Sequence, residues 1–207
     1  MYLSHYSFSA KPFQITADPA SIWLGEKHAE ALATLQYGLQ ENNGFLLLTG
    51  DVGTGKTTVL NTFLKNIDEK VIAVMIPDPG LDPIDLYNIL SAEFRMNRKF
   101  SNKGDFLNHL KPFLYETYLQ SKTILLIIDE AQNLTSKQMK TLITRAGPGT
   151  KVICLGNVAQ IDTPYLTDTS SGLTYVVDRF QRWDHAGHIT LRRGERSRLA
   201  EFASEEL

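Results

Sequence analysis

The sequence predicts an α/β fold, a three-layer sandwich in which helices cover both faces of a parallel five-stranded sheet. Three observations carry that prediction. Short, uniformly apolar runs, "FLLL", "TILLII" and "VICL", read as strands buried on both faces. They alternate with longer segments whose apolar residues recur at helical spacing. The 207 residues, 43% hydrophobic and 21% charged, suit one domain with a core of ordinary size.

The elements follow in order. Residues 1–24 are irregular and rich in aromatics (Tyr2, Tyr6, Phe8, Phe13, Trp23), a composition expected to pack against a domain. "EKHAEALATLQYGLQ" places Ala29, Leu32, Leu35 and Leu39 at helical spacing. "GFLLLTG" is the first strand, a helix is expected from Lys56 to Lys65, and "VIAVMI" (Val71 to Ile76) is the second strand. Asp82 and Pro83 form an N-cap and first-turn pair, and the helix behind them carries Tyr87, Leu90 and Phe94 on one face. A helix from Lys103 to Gln120 is expected to kink at Pro112. "TILLII" and "KVICLG" are the third and fourth strands. A helix over 172–182, the short strand "HITL" and a helix from Glu195 complete the chain.

Composition narrows the function classes. The formal charge of -2 gives no global attraction to nucleic acid or membrane. One cysteine, Cys154, excludes an internal disulfide and is expected to be a buried strand residue. No apolar run is long enough for a membrane span. The start "MYLSHYSFSAKPF" lacks a basic end and an apolar run, so the expected location is cytoplasmic.

The strongest motif is "GDVGTGKT", Gly50 to Thr57, which satisfies G-x-x-x-x-G-K-[ST] between a strand and a helix. Glycines let backbone N–H groups turn inward around phosphate oxygens, and the following helix points its positive end at the same charge. Gly50, Asp51, Val52, Gly53, Thr54, Gly55, Lys56, Thr57 and Thr58 are the expected phosphate-binding residues. Lys56 is expected to reach the β- and γ-phosphates, and Thr57 to offer its hydroxyl to Mg²⁺. The ligands implied are ATP and Mg²⁺.

Asp129 and Glu130 end the third strand, at the crevice where ligands of parallel sheets bind. Asp129 is placed to hold Mg²⁺ and Glu130 to polarise the attacking water as general base.

The chain resembles two families. "KPFQITADP", "LGEKHAEALATLQYGLQENNGFLLLTGDVGTGKTT" and "LLIIDEAQNL" look like the ExeA/GspA-type AAA+ ATPases of general secretion, from Met1 to about Asn133. "DEAQNLTSKQMKTLITRAGPGTKVICLGNVAQIDTP", "SSGLTYVVDRF" and "RGERSRLAEFASEEL" resemble the PhoH family, ATPases related to superfamily 1 helicases, from about Ile127 to Leu207. The reading is a fusion at the shared DEAQNLT segment, with a P-loop NTPase fold of AAA+/RecA type. Its expected parts are a packed N-terminal segment (1–24) and one ATPase domain (25–207), divided into a secretion-type half (25–135) and a PhoH-like half (136–207).

Both resemblances imply that the fourth strand inserts between the phosphate-loop strand and the acid-pair strand. Asn157 then falls where AAA+ proteins place a polar γ-phosphate sensor, and Gln160 at the matching helicase position. The PhoH resemblance also implies arginines for transition-state charge, Arg145 in "LITRAGPG" and Arg193 or Arg196 in "RRGERSR". Three functions are carried forward: a secretion-type AAA+ ATPase, a PhoH-like ATPase acting on RNA or in phosphate stress, and a nucleotide-binding module without turnover. Expected partners beyond ATP are further copies of the chain assembled on nucleotide, and a secretion component or RNA.

Overall fold

The computed structural model describes residues 2–7, 24–41, 44–80, 82–147, 149–157, 171–180 and 182–191. Five strands, β1 (Phe45–Gly50), β2 (Val71–Ile76), β3 (Thr123–Ile128), β4 (Thr150–Gly156) and β5 (Ala186–Leu191), form one sheet. Their order is β2-β3-β4-β1-β5, and every neighbouring pair is parallel. β4 therefore lies between β1 and β3, as the resemblances imply.

The helices are α1 (Tyr2–His5), α2 (Glu26–Gln40), α3 (Lys56–Lys65), α4 (Pro83–Glu93), α5 (Lys103–Leu119), α6 (Ser136–Arg145) and α7 (Gly172–Phe180). Asp82 caps α4 by accepting the Ile84 N–H at 2.9 Å, and Asn102 caps α5 by accepting the Asp105 N–H at 2.9 Å. α5 continues through Pro112 as one helix. Tyr87 stacks on Phe106 and Phe94 packs on Phe113, so α4 holds α5 on both sides of the proline.

β1 is buried at all six residues because helices cover both of its faces. Its alternation divides the core. Leu46 and Leu48 pack with Leu35 of α2, Val59, Leu60 and Phe63 of α3, and Ile153 and Leu155 of β4. Phe45 and Leu47 face the other way, toward Met139 of α6, Leu173 and Val176 of α7, and Val152 and Cys154 of β4. Cys154 is fully buried, and that burial pushes its thiol pKa far up, so it acts as a small apolar core residue.

Two features depart from the sequence expectations. α6 is a helix that the sequence expectations did not include, although Met139, Leu142 and Ile143 stand at helical spacing on its core face. Its start is marked by a capping box: Thr135 accepts the Gln138 N–H, and the Gln138 side chain accepts the Thr135 N–H. β5 begins two residues before "HITL", at Ala186. The helix expected from Glu195 lies outside the described residues, as do Phe8, Phe13 and Trp23 of the N-terminal segment.

Candidate nucleotide site

Parallel strands bring three loop starts to one edge of the sheet. β1 pairs with β4 through Thr49 and Gly156, and β3 pairs with β4 through Ile128 and Cys154. Continuing the register places Gly50 opposite Asn157 and Asp129 opposite Leu155, so all three lie at the carboxyl ends of β1, β3 and β4, with Asn157 two residues beyond the position opposite Asp129.

The phosphate loop runs from Gly50 to the start of α3 at Lys56. Gly53 and Gly55 have φ of 79° and 86°, values that cost an L-residue about 1–2 kcal/mol. At Gly50, a Cβ would run into the Leu191 carbonyl oxygen of β5. The N-cap of α3, Gly55, carries no side chain to satisfy the first N–H groups of the helix, which leaves those donors for an anion. Lys56 Nζ donates to the carbonyls of Gly50 (2.8 Å) and Asp51 (2.9 Å), so the ammonium lies across the loop. Thr54 is buried, and its hydroxyl donates to the Asp51 carbonyl at 2.7 Å, bracing the turn from within. Val52 and Thr57 are exposed, and Thr58 is half-buried.

His28 adds a brace that the sequence expectations did not include. Its Nε2 lies 2.8 Å from the Thr54 carbonyl oxygen and donates to it in the Nε2–H tautomer. A Cβ on Gly55 would come within 3.0 Å of the same nitrogen. The first turn of α2 thus packs against the outside of the loop. The "H" in "EKHAEAL" is a sequence signal, but only the fold brings it 26 residues along the chain to Thr54.

At the acid pair, the Asp129 N–H donates to the Ile76 carbonyl at 2.9 Å, tying the end of β3 to β2. Asp129 Oδ1 accepts the Glu130 N–H at 3.0 Å. Glu130 takes a left-handed conformation (φ 49°, ψ 37°) as it enters the 3₁₀ turn Ala131–Asn133. That conformation aims an exposed carboxylate out of the strand end, at a cost of about 1–2 kcal/mol. Gln132, wholly buried, donates from Nε2 to Glu130 Oε2. Its Oε1 accepts the Asn157 N–H at 3.1 Å, and its carbonyl accepts the Ser171 hydroxyl at 2.9 Å. Sequence reasoning did not single out Gln132.

Asn157 is buried at the end of β4. Arg145 is the last residue of α6, about 14 Å along the helix from Ser136. Gln160, Arg193 and Arg196 lie outside the described residues. The two histidines of "HAGH" serve separate contacts. His185 packs edge-on against Trp183, and His188 Nε2 lies 2.8 Å from Thr49 Oγ1.

The oxygen donors present suit a hard divalent cation. The Thr57 hydroxyl is exposed and the Asp129 carboxylate half-buried, and Mg²⁺ takes few protein oxygens while keeping several waters.

Two family models match. "AAA domain" spans residues 39–159 and "PhoH-like protein" spans residues 118–203. The chain belongs to the AAA domain family. By family and fold it is a domain of the P-loop ATPase class. The two matches overlap from residue 118 to 159, so the acid pair, α6 and β4 are common to both.

Protein PhoH2 of Bacillus subtilis is 33% identical over 94% of this chain and 50% of its own length. General secretion pathway protein A of Aeromonas hydrophila is 36% identical over 65% of this chain and 25% of its own. The PhoH2 similarity thus extends well before Ile127, where the resemblance read from the sequence begins. The chain spans half or less of the length of these curated relatives. Among solved structures, the ORC2 protein of Aeropyrum pernix matches with a TM-score of 0.55 at 16% identity, over 82% of this chain and 48% of that one. A Walker-type ATPase of Pyrococcus abyssi matches at 0.53 and 16%, over 94% and 61%. At such identities the likeness concerns the fold.

Proposed function

We propose that this domain hydrolyses ATP in the presence of Mg²⁺. The observation that carries the reading is the placement of a complete phosphate loop, an acid pair and a buried asparagine at three adjacent parallel strand ends. Backbone N–H groups of the loop and of α3 hold the phosphates. Lys56 exchanges its two carbonyl partners for phosphate oxygens. Thr57 and Asp129 would hold Mg²⁺, which supplies charge neutralisation across the β- and γ-phosphates. Glu130 accepts a proton from the attacking water. Asn157 senses the γ-phosphate from the end of β4.

Arg145, the last residue of α6, is the arginine that the PhoH resemblance offers for transition-state charge, supplied to a neighbouring copy. Turnover by the isolated chain is then slow and rises on nucleotide-dependent assembly. The PhoH2 similarity over 94% of the chain favours a PhoH-like process, with RNA as the partner that the resemblance implies, over a role in secretion.

Phosphate release with Mg²⁺ and ATP tests the reading. Glu130→Gln is expected to keep nucleotide affinity and lose about 10²- to 10⁴-fold in turnover. Lys56→Ala is expected to weaken ATP binding about tenfold to hundredfold, the worth of a charge-assisted hydrogen bond. Equal phosphate release by wild type and Glu130→Gln would remove Glu130 as the base, and nucleotide binding with no phosphate release would leave a binding module without turnover. Stimulation by single-stranded RNA separates the PhoH-like process from the secretion one.

A further inference from the structure

Gln132 is polar and wholly buried, yet none of the steps above uses it. A buried carboxamide is costly unless its donors and its acceptor are engaged. Here each end is directed at a different part of the nucleotide site. The Nε2 group holds Glu130 Oε2, and Oε1 receives the Asn157 N–H at 3.1 Å. The Gln132 backbone is fixed as well, because its carbonyl accepts the Ser171 hydroxyl at 2.9 Å, just before α7.

The surroundings are shaped to admit this side chain. Gly156, the last residue of β4, has no room for a Cβ, which would collide with Gln132 Oε1 and lie 2.7 Å from Leu173 Cδ2. Glu130 itself is exposed and stands on a left-handed backbone position, so few contacts of its own fix its carboxylate. The carboxamide of Gln132 is the contact that sets the direction of that carboxylate and ties it to the strand end bearing Asn157.

We propose that Gln132 is a positioning residue for hydrolysis. It orients the Glu130 carboxylate against the end of β4, so that the base and the γ-phosphate sensor keep one geometry. The inference rests on Glu130 acting as the base. The two ends of the carboxamide can be separated by substitution. Gln132→Glu keeps an acceptor for the Asn157 N–H but replaces the donor facing Glu130 with a second carboxylate. Gln132→Met fills a similar volume and removes both bonds. Gly156→Ala leaves every polar group in place and pushes the carboxamide aside.

The test is steady-state turnover and nucleotide affinity of the full chain, with thermal melting to confirm folding. Gln132→Glu is expected to lower kcat about tenfold to hundredfold, the loss typical of a displaced catalytic group, with the dissociation constant for an ATP analogue unchanged within twofold. In a Glu130→Gln background the same substitution is expected to cost nothing further, because there is no base left to orient. Gly156→Ala is expected to reproduce the kcat loss from the other side. A Gln132→Glu chain with wild-type kcat overturns the inference. So does an equal loss on top of Glu130→Gln, which would mark Gln132 as a structural support. A wild-type chain with no phosphate release would overturn the proposed activity itself, and this role with it.

Discussion

Lys56 and His28 show how much of the site is held by single contacts. The Lys56 ammonium bridges two loop carbonyls, and the His28 imidazole takes a third, that of Thr54, from the other side. Thr54 is buried, so losing the imidazole leaves its carbonyl short of a donor. His28→Ala is therefore expected to weaken binding of an ATP analogue about threefold to tenfold, corresponding to about 0.5–1.5 kcal/mol. His28→Gln, which can present a donor, is expected to recover part of that loss. A fluorescent-nucleotide titration with equal affinities for wild type and His28→Ala would remove His28 from the site. The phosphate loop was legible in the sequence because its glycine, lysine and threonine spacing is a local pattern between a strand and a helix. His28 was not, because its partner is brought to it by the packing of α2 beside α3.

Among the elements, β5 and α6 are the informative ones. β5 is an edge strand whose inward residues, Ile189 and Leu191, enter the core, while His188 and Thr190 face Thr49 of β1. His188 is exposed at the edge, yet desolvation of its ring lowers its pKa from the ordinary 6.5. The folded chain then binds this proton less readily than the unfolded chain. Stability from this source is complete above about pH 6.5 and is lost as pH falls through the lowered value. His188→Gln, which keeps a partner for Thr49, is expected to lose less melting temperature between pH 7 and pH 5 than the wild type. Identical slopes would show that carboxylates alone set the acid limb. α6 is written in two local signals, its start in Thr135 and Gln138 and its core face in the helical spacing of Met139, Leu142 and Ile143.

At the scale of the whole molecule, β4 decides the architecture. It comes after the segment where the two family resemblances meet, yet it lies between β1 and β3, and its residues enter both core clusters. Lys151 of β4 reinforces the join. Its ammonium donates to the carbonyls of Gly38 and Glu41 at the end of α2, and desolvation there lowers its pKa. Because both parts of the chain supply both core clusters, neither half is expected to unfold alone. Leu155→Ala, at a fully buried position, is expected to cost about 2–5 kcal/mol. Its near-UV and far-UV transitions are expected to remain coincident and shift together. Two separated transitions would mean that the residues before and after Thr135 fold independently.

By itself, the sequence determined the parallel α/β class, the four apolar strands, the phosphate loop and the acid pair. These are local patterns: uniform apolarity, a glycine-rich spacing and acids at a strand end. Only the tertiary structure decided that His28 braces the loop, that Gln132 joins Glu130 to Asn157, and that Gly156 must lack a side chain to admit it. The physical reason is that these are contacts between separate elements, and their partners are set by sheet order and register. No sequence spacing records that Gln132 of the 3₁₀ turn and Asn157, just past β4, will meet; β4 lying beside β3 brings the two strand ends together.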